Sequence, residues 1–382
     1  MHRLFRIFII LFTTKFIFTK PQKKKFLIFD KHNYQYLLKY LKKDEYSILY
    51  TRNEFLNFFV LIHNFLKFRF SKLEYYNTYL KFVDPNFLIS FKDNDPLFFL
   101  IKKKSLKKIL IQNAWKDPFN DPILNSKSFI NLKKSFNLDF FLTYNKNIGL
   151  KFKKISNCYP ISIGSFKSNN FKINKNFKKK KDILYISSFL EPEKMRNIMI
   201  TKDVTGEQYY HKPQIKLLKI LDEYTKNNNL KLLIYGRSRF KKKAIEEKKY
   251  YSKLLRKCNW RFIKNNRKKT FDYIDRSSLV VTINSSLGYE SFSRKIRTVF
   301  FNIRPKNRKL STIRFGWPTF SEIDKGKFWI NSLDYIKVEK FLNKVRGYTN
   351  PEWQKITKKY KKNLMVRDEN NTKFLKLINI SN

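Results

Sequence analysis

Leu279-Val-Val-Thr-Ile-Asn-Ser-Ser-Leu-Gly-Tyr-Glu-Ser-Phe-Ser-Arg-Lys-Ile-Arg-Thr-Val-Phe-Phe301 is the stretch whose reading decides the fold. A continuous apolar run, Leu279–Ile283, predicts a strand buried on both faces, and Thr298–Phe301 predicts a second. Between them lie a tight turn at Asn284–Ser286 and a helix opening at Leu287. Ser285 or Ser286 is placed to cap that helix, and Gly288 in its first turn keeps side-chain bulk away from the helix amides. A hydroxyl-lined helix N-terminus at the carboxyl end of a strand suits a phosphate, because free N–H groups and the positive end of the helix dipole both face it. Glu290, one turn further in, is placed to accept hydrogen bonds from a sugar hydroxyl or to pair with Arg294 at i+4. An ordinary capped helix of an α/β domain would have the same local pattern.

Outward from this stretch the same alternation repeats. Upstream come strand Ile183–Ser187, helix Pro213–Lys226, strand Lys231–Tyr235, the turn Gly236-Arg237-Ser238-Arg239 and helix Ala244–Arg256. The first half reads as strand Lys25–Asp30, a helix at about Asn33–Lys42, strand Tyr46–Tyr50, a long amphipathic helix from Asn53 to about Lys67, and helix Lys72–Val83. Strands Phe87–Phe91, Lys108–Ile111, Phe140–Thr143 and Tyr159–Ile163 complete it. Regular strand–helix alternation argues for parallel sheets covered by helices on both faces. The expected architecture is α/β, with two Rossmann-like doubly wound domains facing a central cleft. Its parts are a basic apolar segment at 1–24, a first domain at 25–166, a polar and basic linker at 167–181, a second domain at 182–337 and terminal helices at 338–382, with Trp353 as a packing anchor.

A chain of 382 residues has room for two such cores, and 17% aromatic residues exclude a disordered tail. The formal charge of +53 predicts attraction to nucleic acid or anionic membrane. The lysines are spread along the whole chain, however, and accompany an excess of other residues served by A/T-rich codons, which favours compositional drift over a nucleic-acid-binding face. Residues 1–24 hold six Lys and Arg and no acid around a short apolar run, the pattern of an interfacial anchor on anionic lipid or of a plain N-terminal helix. Cys158 and Cys258 form no zinc spacing, and His2, His32, His63 and His211 do not cluster, so neither a metal site nor a cofactor is expected. With so few cysteines a reducing cytoplasm is the default compartment.

Every conspicuous polar cluster falls just after a predicted strand, where an open α/β sheet presents its ligands. In the first half these are Asp93-Asn94-Asp95 and Gln112-Asn113 with Asp117; in the second, Gly236-Arg237 and Asn284-Ser285-Ser286 with Glu290. Asp93 is the better candidate for a general base that deprotonates an acceptor hydroxyl, because Asp95, followed by Pro96, reads equally as a helix cap. Gln112 and Asn113 offer neutral donors and acceptors for sugar hydroxyls, or stabilise a turn. Arg237, beyond the glycine that ends a buried strand, is placed to grip a diphosphate or to make a surface ion pair. Arg304, Arg314 and Trp317 have weaker claims. The absence of a Walker loop, of GxGxxG and of HExxH argues against nucleoside-triphosphate hydrolysis and dinucleotide binding.

In order and spacing, these motifs resemble a family of bacterial surface-carbohydrate (O-antigen) biosynthesis proteins of the two-Rossmann, glycosyltransferase-B type. The matching stretches are Phe26-Leu-Ile-Phe-Asp30, Leu88-Ile-Ser-Phe-Lys-Asp-Asn94, Ile109-Leu-Ile-Gln-Asn113, Ile163-Gly-Ser-Phe-Lys167, Ile234-Tyr-Gly-Arg237, Asn284-Ser-Ser-Leu-Gly-Tyr-Glu290, Phe315-Gly-Trp-Pro318 and Phe328-Trp329. Ala114 departs from a Gln-Asn-Gly pattern. The resemblance implies architecture and pathway more than a reaction; the leading expectation is a metal-independent glycosyltransferase that moves a sugar from a nucleotide-sugar donor to a lipid-linked glycan, with the basic N-terminus holding it as a peripheral protein on the inner face of the cell membrane. Ser285 and Ser286 would hold phosphate and Glu290 the ribose. A polyol-phosphate (teichoic-type) transferase of the same fold is an alternative; such enzymes rely on histidines, and His32, just past the first strand, is the one histidine at a predicted strand end. A basic protein that only binds nucleic acid or membrane would explain the charge but none of the post-strand clusters.

Overall fold

Two six-stranded sheets, parallel throughout, carry the chain. They are seen in a computed structural model that describes residues 14–52, 54–115, 136–154, 156–173, 181–196, 198–201, 204–255, 260–283, 285–303 and 326–379. The chain divides into two units, residues 1–170 with 368–382, and residues 171–367.

In the first unit the strands lie in the order Tyr46–Leu49, Phe26–Phe29, Phe87–Ser90, Lys107–Ile111, Phe140–Thr143, Tyr159–Ser162. Phe26 sits opposite Tyr46 on one side and Phe87 on the other. Every side chain of Phe26–Phe29 and Phe87–Ser90 is buried, as a strand covered by helices on both faces requires, and this makes their sequences nearly continuously apolar. Phe29 meets Tyr76 of helix Lys72–Val83 and Phe98 of helix Pro96–Leu100 edge to face. From Phe26–Phe29 the chain first winds outward to Tyr46–Leu49, then returns to place Phe87–Ser90 on the other side. The direction of winding therefore reverses between these two strands, which opens a crevice at their carboxyl ends.

The second unit repeats the device in the order Trp260–Ile263, Lys231–Tyr235, Asp182–Ile186, Leu279–Thr282, Thr298–Phe301, Trp329–Ile330. Val280 pairs with Leu184 on one side and Thr298 on the other. Leu184, Leu233, Ile274 and Val280 centre its core. Here the reversal lies between Asp182–Ile186 and Leu279–Thr282. Trp353 is buried against Phe292 and Phe328, as expected of a packing anchor.

Several expectations need correction. The helix expected over Asn53–Lys67 is a strand, Phe55–Asn57, followed by a shorter helix, Phe58–Leu66. The strand exists because it pairs with Lys15–Ile17, so this part of the N-terminal segment is extended rather than helical; residues 1–13 lie outside the described residues. The helix expected at Asn33–Lys42 shrinks to a 3-10 turn at Tyr34–Tyr36, because Asn33 takes a left-handed conformation with φ 59°. The segment expected as a linker begins with a helix, Phe166–Asn169, capped by Ser165, and the carbonyls of Phe171 and Lys172 accept hydrogen bonds from Arg294. The terminal helices split: Tyr335–Gly347 and Asn350–Tyr360 belong to the second unit, whereas Thr372–Asn379 belongs to the first. There Asn371 hydrogen-bonds Asn169, and Phe374 packs edge to face on Phe166. Among the described residues, no helix is long and apolar enough to cross a membrane.

Candidate functional site

Each unit gathers polar side chains at the carboxyl ends of its central strands. In the first, Asp30 ends strand Phe26–Phe29 with φ 72°. Its carboxylate accepts from the His32 amide at 2.7 Å, from the Thr51 hydroxyl and from Arg52 Nε at 3.1 Å, with Lys92 Nζ at 3.8 Å. Burial alone would raise the Asp30 pKa, but these hydrogen bonds and the two cations together hold it below the ordinary carboxylate range. Asp30 is thereby the brace of the turn that presents His32 and Asn33.

Asn33 Nδ2 donates to Asn113 Oδ1 at 2.5 Å, and Asn113 Nδ2 donates to His32 Nε2 at 3.1 Å. The Asn113 backbone N–H points at Asp93 Oδ2, 3.4 Å away, and its carbonyl accepts from the Tyr144 hydroxyl at 2.8 Å. Asp93 is 6% exposed. Thus Asp93 and Asn113 come together with His32 and Asn33, from three neighbouring strands, at the reversal of the winding. Asn94 is half-buried next to Asp93.

Two members of the expected acceptor set serve the scaffold. Asp95 caps helix Pro96–Leu100 by accepting from the Leu97 amide at 3.0 Å, and pairs with Lys92 at 2.7 Å. Gln112 accepts from the Tyr144 amide at 2.8 Å and donates to the Ala114 carbonyl at 3.0 Å, so both ends of its amide tie strand ends together. Sequence reasoning singled out His32 only for the polyol-phosphate alternative, and missed Asn33. The available signal was their place directly after the first strand of a doubly wound sheet.

In the second unit Ser285 caps helix Ser286–Ser293: its Oγ accepts from the Leu287 amide at 3.3 Å, while its own amide donates to Thr282 Oγ1 at 3.1 Å. The helix therefore opens at Ser286, one residue earlier than expected. Both serines are half-buried. Gly288 has a different duty from the one expected. A Cβ there would strike the Thr282 and Phe300 side chains, so the glycine lets the helix press onto the sheet. Glu290 is 1% exposed, inside the unit, a poor position for a sugar hydroxyl. The Arg294 guanidinium forks onto Asp275 at 2.8 and 2.5 Å, a fully buried pair. Asp117, Asn284, Arg304, Arg314 and Trp317 lie outside the described residues.

Gly236 is likewise a packing glycine, under the Phe262 ring. Arg237 is exposed; its Nη1 donates to the Phe189 carbonyl at 2.9 Å, which holds the guanidinium across the end of strand Asp182–Ile186. Neighbouring strands are about 4.8 Å apart, so Gly236-Arg237 and Ser285-Ser286, two strands apart, are separated by roughly 10 Å, within the span of a diphosphate and its flanking groups. Beneath them runs a buried chain that sequence reasoning missed. Glu247 accepts from the Arg237 amide at 2.9 Å and from the Ser187 hydroxyl at 2.5 Å. Ser187 also meets the Tyr251 hydroxyl at 2.6 Å, which in turn accepts from Gln214 at 2.9 Å. Burial raises the Glu247 pKa, against those hydrogen bonds and the Arg237 charge. Glu247 lies within helix Lys241–Leu254, where sequence alone suggests a solvated charge. Among the described residues, no three His, Cys, Asp or Glu side chains group to hold a metal ion.

A family model described as "putative O-antigen biosynthesis protein" matches residues 109–382. No protein of curated function matches in sequence. Among solved structures, the wall teichoic acid polymerase TagF is similar at TM-score 0.56 and 14% identity, over 94% of this chain and 90% of that one. A form of TagF soaked with CDPG gives TM-score 0.53 and 14% identity, over 95% and 90% of the two chains. TarM of S. aureus is similar at TM-score 0.44 and 16% identity over 81% of this chain, which spans 58% of TarM's length. The TagF likeness shows a glycosyltransferase-B-like fold.

Proposed function

The chain belongs to the O-antigen biosynthesis family whose model covers residues 109–382, and from that premise we propose that it is a glycosyltransferase that moves a sugar from a nucleotide-sugar donor to a lipid-linked glycan of the cell surface. The observation that carries this reading is the gathering of polar side chains at the winding reversal of each sheet, the place where doubly wound folds take ligands. In this reading the N-terminus of helix Ser286–Ser293, with the Ser285 and Ser286 hydroxyls, receives the donor phosphates. Arg237 neutralises the phosphate charge that grows as the sugar leaves, and with the helix dipole does the work that a divalent ion does elsewhere. Asp93 takes the proton of the acceptor hydroxyl, and Asn113 holds that hydroxyl in line. Glu290, buried in the second unit, is withdrawn as a ribose ligand.

The test is thermal stabilisation by a panel of nucleotides and nucleotide sugars, since a ligand that binds the folded state raises Tm by mass action. A panel member should stabilise the wild type and lose that effect in Arg237→Ala; no stabilisation by any of them would overturn the reading.

One observation favours a second reaction on the same fold, the transfer of a polyol phosphate. His32 stands in the Asp93–Asn113 cluster, its Nε2 3.1 Å from Asn113 Nδ2, and imidazole is the most frequent general acid–base group. TagF, of similar fold, is by name a wall teichoic acid polymerase. Product analysis separates the two: phosphodiester linkages mean polyol-phosphate transfer, glycosidic linkages mean sugar transfer.

A further inference from the structure

Helix Phe58–Leu66 is inside out. Its buried side chains are Val60 and Asn64, the latter satisfied by the Thr78 hydroxyl at 2.5 Å, while Phe58, Phe59, Ile62, Phe65 and Leu66 face outward. A helix on a water-facing surface carries the opposite pattern. The loop that follows continues it: Phe65, Phe68 and Phe70 are 68, 84 and 72% exposed and touch one another ring to ring. Phe68 is held at φ 51°, a left-handed conformation uncommon for a bulky side chain, so the backbone bears a cost in presenting that ring outward. Phe18, also exposed, lies tilted against Phe58 with ring centroids 5.2 Å apart and extends the patch. Between Phe58, Ile62, Phe65 and Phe70 opens an apolar groove of about 370 Å³.

The chemistry around the patch is cationic. Lys67 and Arg69 alternate with the exposed rings, and Glu74 offsets Arg69 only in part at 3.6 Å. His63, on the same helix, is held below its ordinary pKa by burial and by Lys67, Arg69 and Lys81. Lys20 lies over Phe82 at 5.6 Å, beside the His63 ring. Protruding aromatic rings among flexible cations are what an interface between acyl chains and anionic headgroups selects: the rings leave water and the ammonium groups reach the phosphates. The core of a protein–protein interface is instead depleted of lysine, whereas Lys67 sits among these rings.

We propose that the Phe58–Phe70 face of the first unit seats the protein on an anionic lipid bilayer, with helix Phe58–Leu66 lying in the plane of the interface and Phe65, Phe68 and Phe70 entering the acyl region. Phe18 and Lys20 of the segment at 1–24 lie beside this face. The purpose of this surface rests on the lipid-linked acceptor of the proposed function, but its test needs no turnover.

Phosphatidylcholine vesicles with and without phosphatidylglycerol are the probe. Full-length wild type should float with the anionic vesicles. The triple variant Phe65→Ser, Phe68→Ser, Phe70→Ser should bind them at least about tenfold more weakly, as expected for three rings left in water, with an unchanged Tm because all three are exposed. Lys67→Glu should reduce the preference for the anionic lipid. In Phe68→Trp, indole emission should move to the blue on vesicle addition, a readout that removes no apolar surface. Undiminished flotation of the triple variant, or no emission shift, overturns the proposal. So does a dimer that the triple variant disperses in the absence of vesicle binding, because a second copy would then be the occupant. Vesicle binding without any nucleotide-sugar binding would instead sink the transferase reading and leave this surface in place.

Discussion

Asn113 and His32, eighty-one residues apart in the chain, meet side chain to side chain, with the Asn113 amide nitrogen 3.1 Å from His32 Nε2. An amide N–H can only donate, and Asn113 Oδ1 is taken by Asn33, so the imidazole must accept through an unprotonated Nε2. His32 stands with Asn33, Asp93 and Asn113 at the winding reversal of the first sheet.

Replacing His32 by Asn should therefore lower kcat by about 10²-fold or more, the usual worth of a positioned acid–base group, with little change in Tm because the ring is only half-buried. Asn113→Ala should lower kcat and Tm together, since it also releases Asn33 and the amide facing Asp93. Full activity of His32→Asn would remove the histidine from the mechanism and return the base to Asp93 alone.

Ser285 has two candidate duties that one substitution separates. Ser285→Ala should cost about 1 kcal/mol of stability through the lost cap. Ser285→Asp should keep the cap, since Asp is as good an N-cap as Ser, but should weaken donor binding at least tenfold by placing a carboxylate against phosphate. If the Asp variant binds nucleotides as the wild type does, Ser285 is a cap and nothing more.

Gly288→Ala should destabilise the protein by about 1–3 kcal/mol, the range for overpacking, because its Cβ would strike Thr282 and Phe300. Saturating nucleotide should bind the folded variant with near wild-type affinity. A selective loss of nucleotide affinity with unchanged stability would restore to this glycine the ligand-approach role expected from sequence.

Lys108 gives a pH signature. It is 1% exposed, donates to the carbonyls of Phe99 and Ile101 at 3.0 and 2.9 Å, and is pushed by burial down to about 7. Unfolded, the amine keeps its proton up to its ordinary value of 10.5. Between about pH 7 and 10.5 the unfolded chain therefore binds more protons, and this residue's contribution to stability must rise with pH over that window. Urea unfolding across the window should show a shallower rise, or a fall, in Lys108→Met; equal pH dependence in the two proteins would mean the amine stays charged when folded.

Much of the architecture was legible in the chain itself. Leu279–Thr282, Lys231–Tyr235, Phe26–Phe29 and Phe87–Ser90 announce themselves because a strand covered on both faces is a nearly continuous apolar run, broken here only at the ends by Thr282, Lys231 and Ser90. The Ser285 cap and the alternation of strands with helices follow from equally local rules. Whatever depends on a distant partner was not legible. Phe55–Asn57 reads as part of a helix until Lys15–Ile17 is laid beside it. Glu247 reads as one more charge on a basic helix until Ser187 and the Arg237 amide close over it.

The sequence by itself determined two doubly wound sheets and the strand ends at which their polar residues emerge, because burial and capping act over a few neighbouring residues. Only the tertiary structure decided which of those residues tie the scaffold together and which meet in one polar cluster. Gly288 belongs to packing, Asp95 to a cap and Gln112 to a strut, while His32 and Asn33 join Asp93 and Asn113 in one cluster. A side chain's duty is fixed by whichever groups arrive within hydrogen-bonding distance, and those groups come from strands that pairing, not sequence order, makes neighbours.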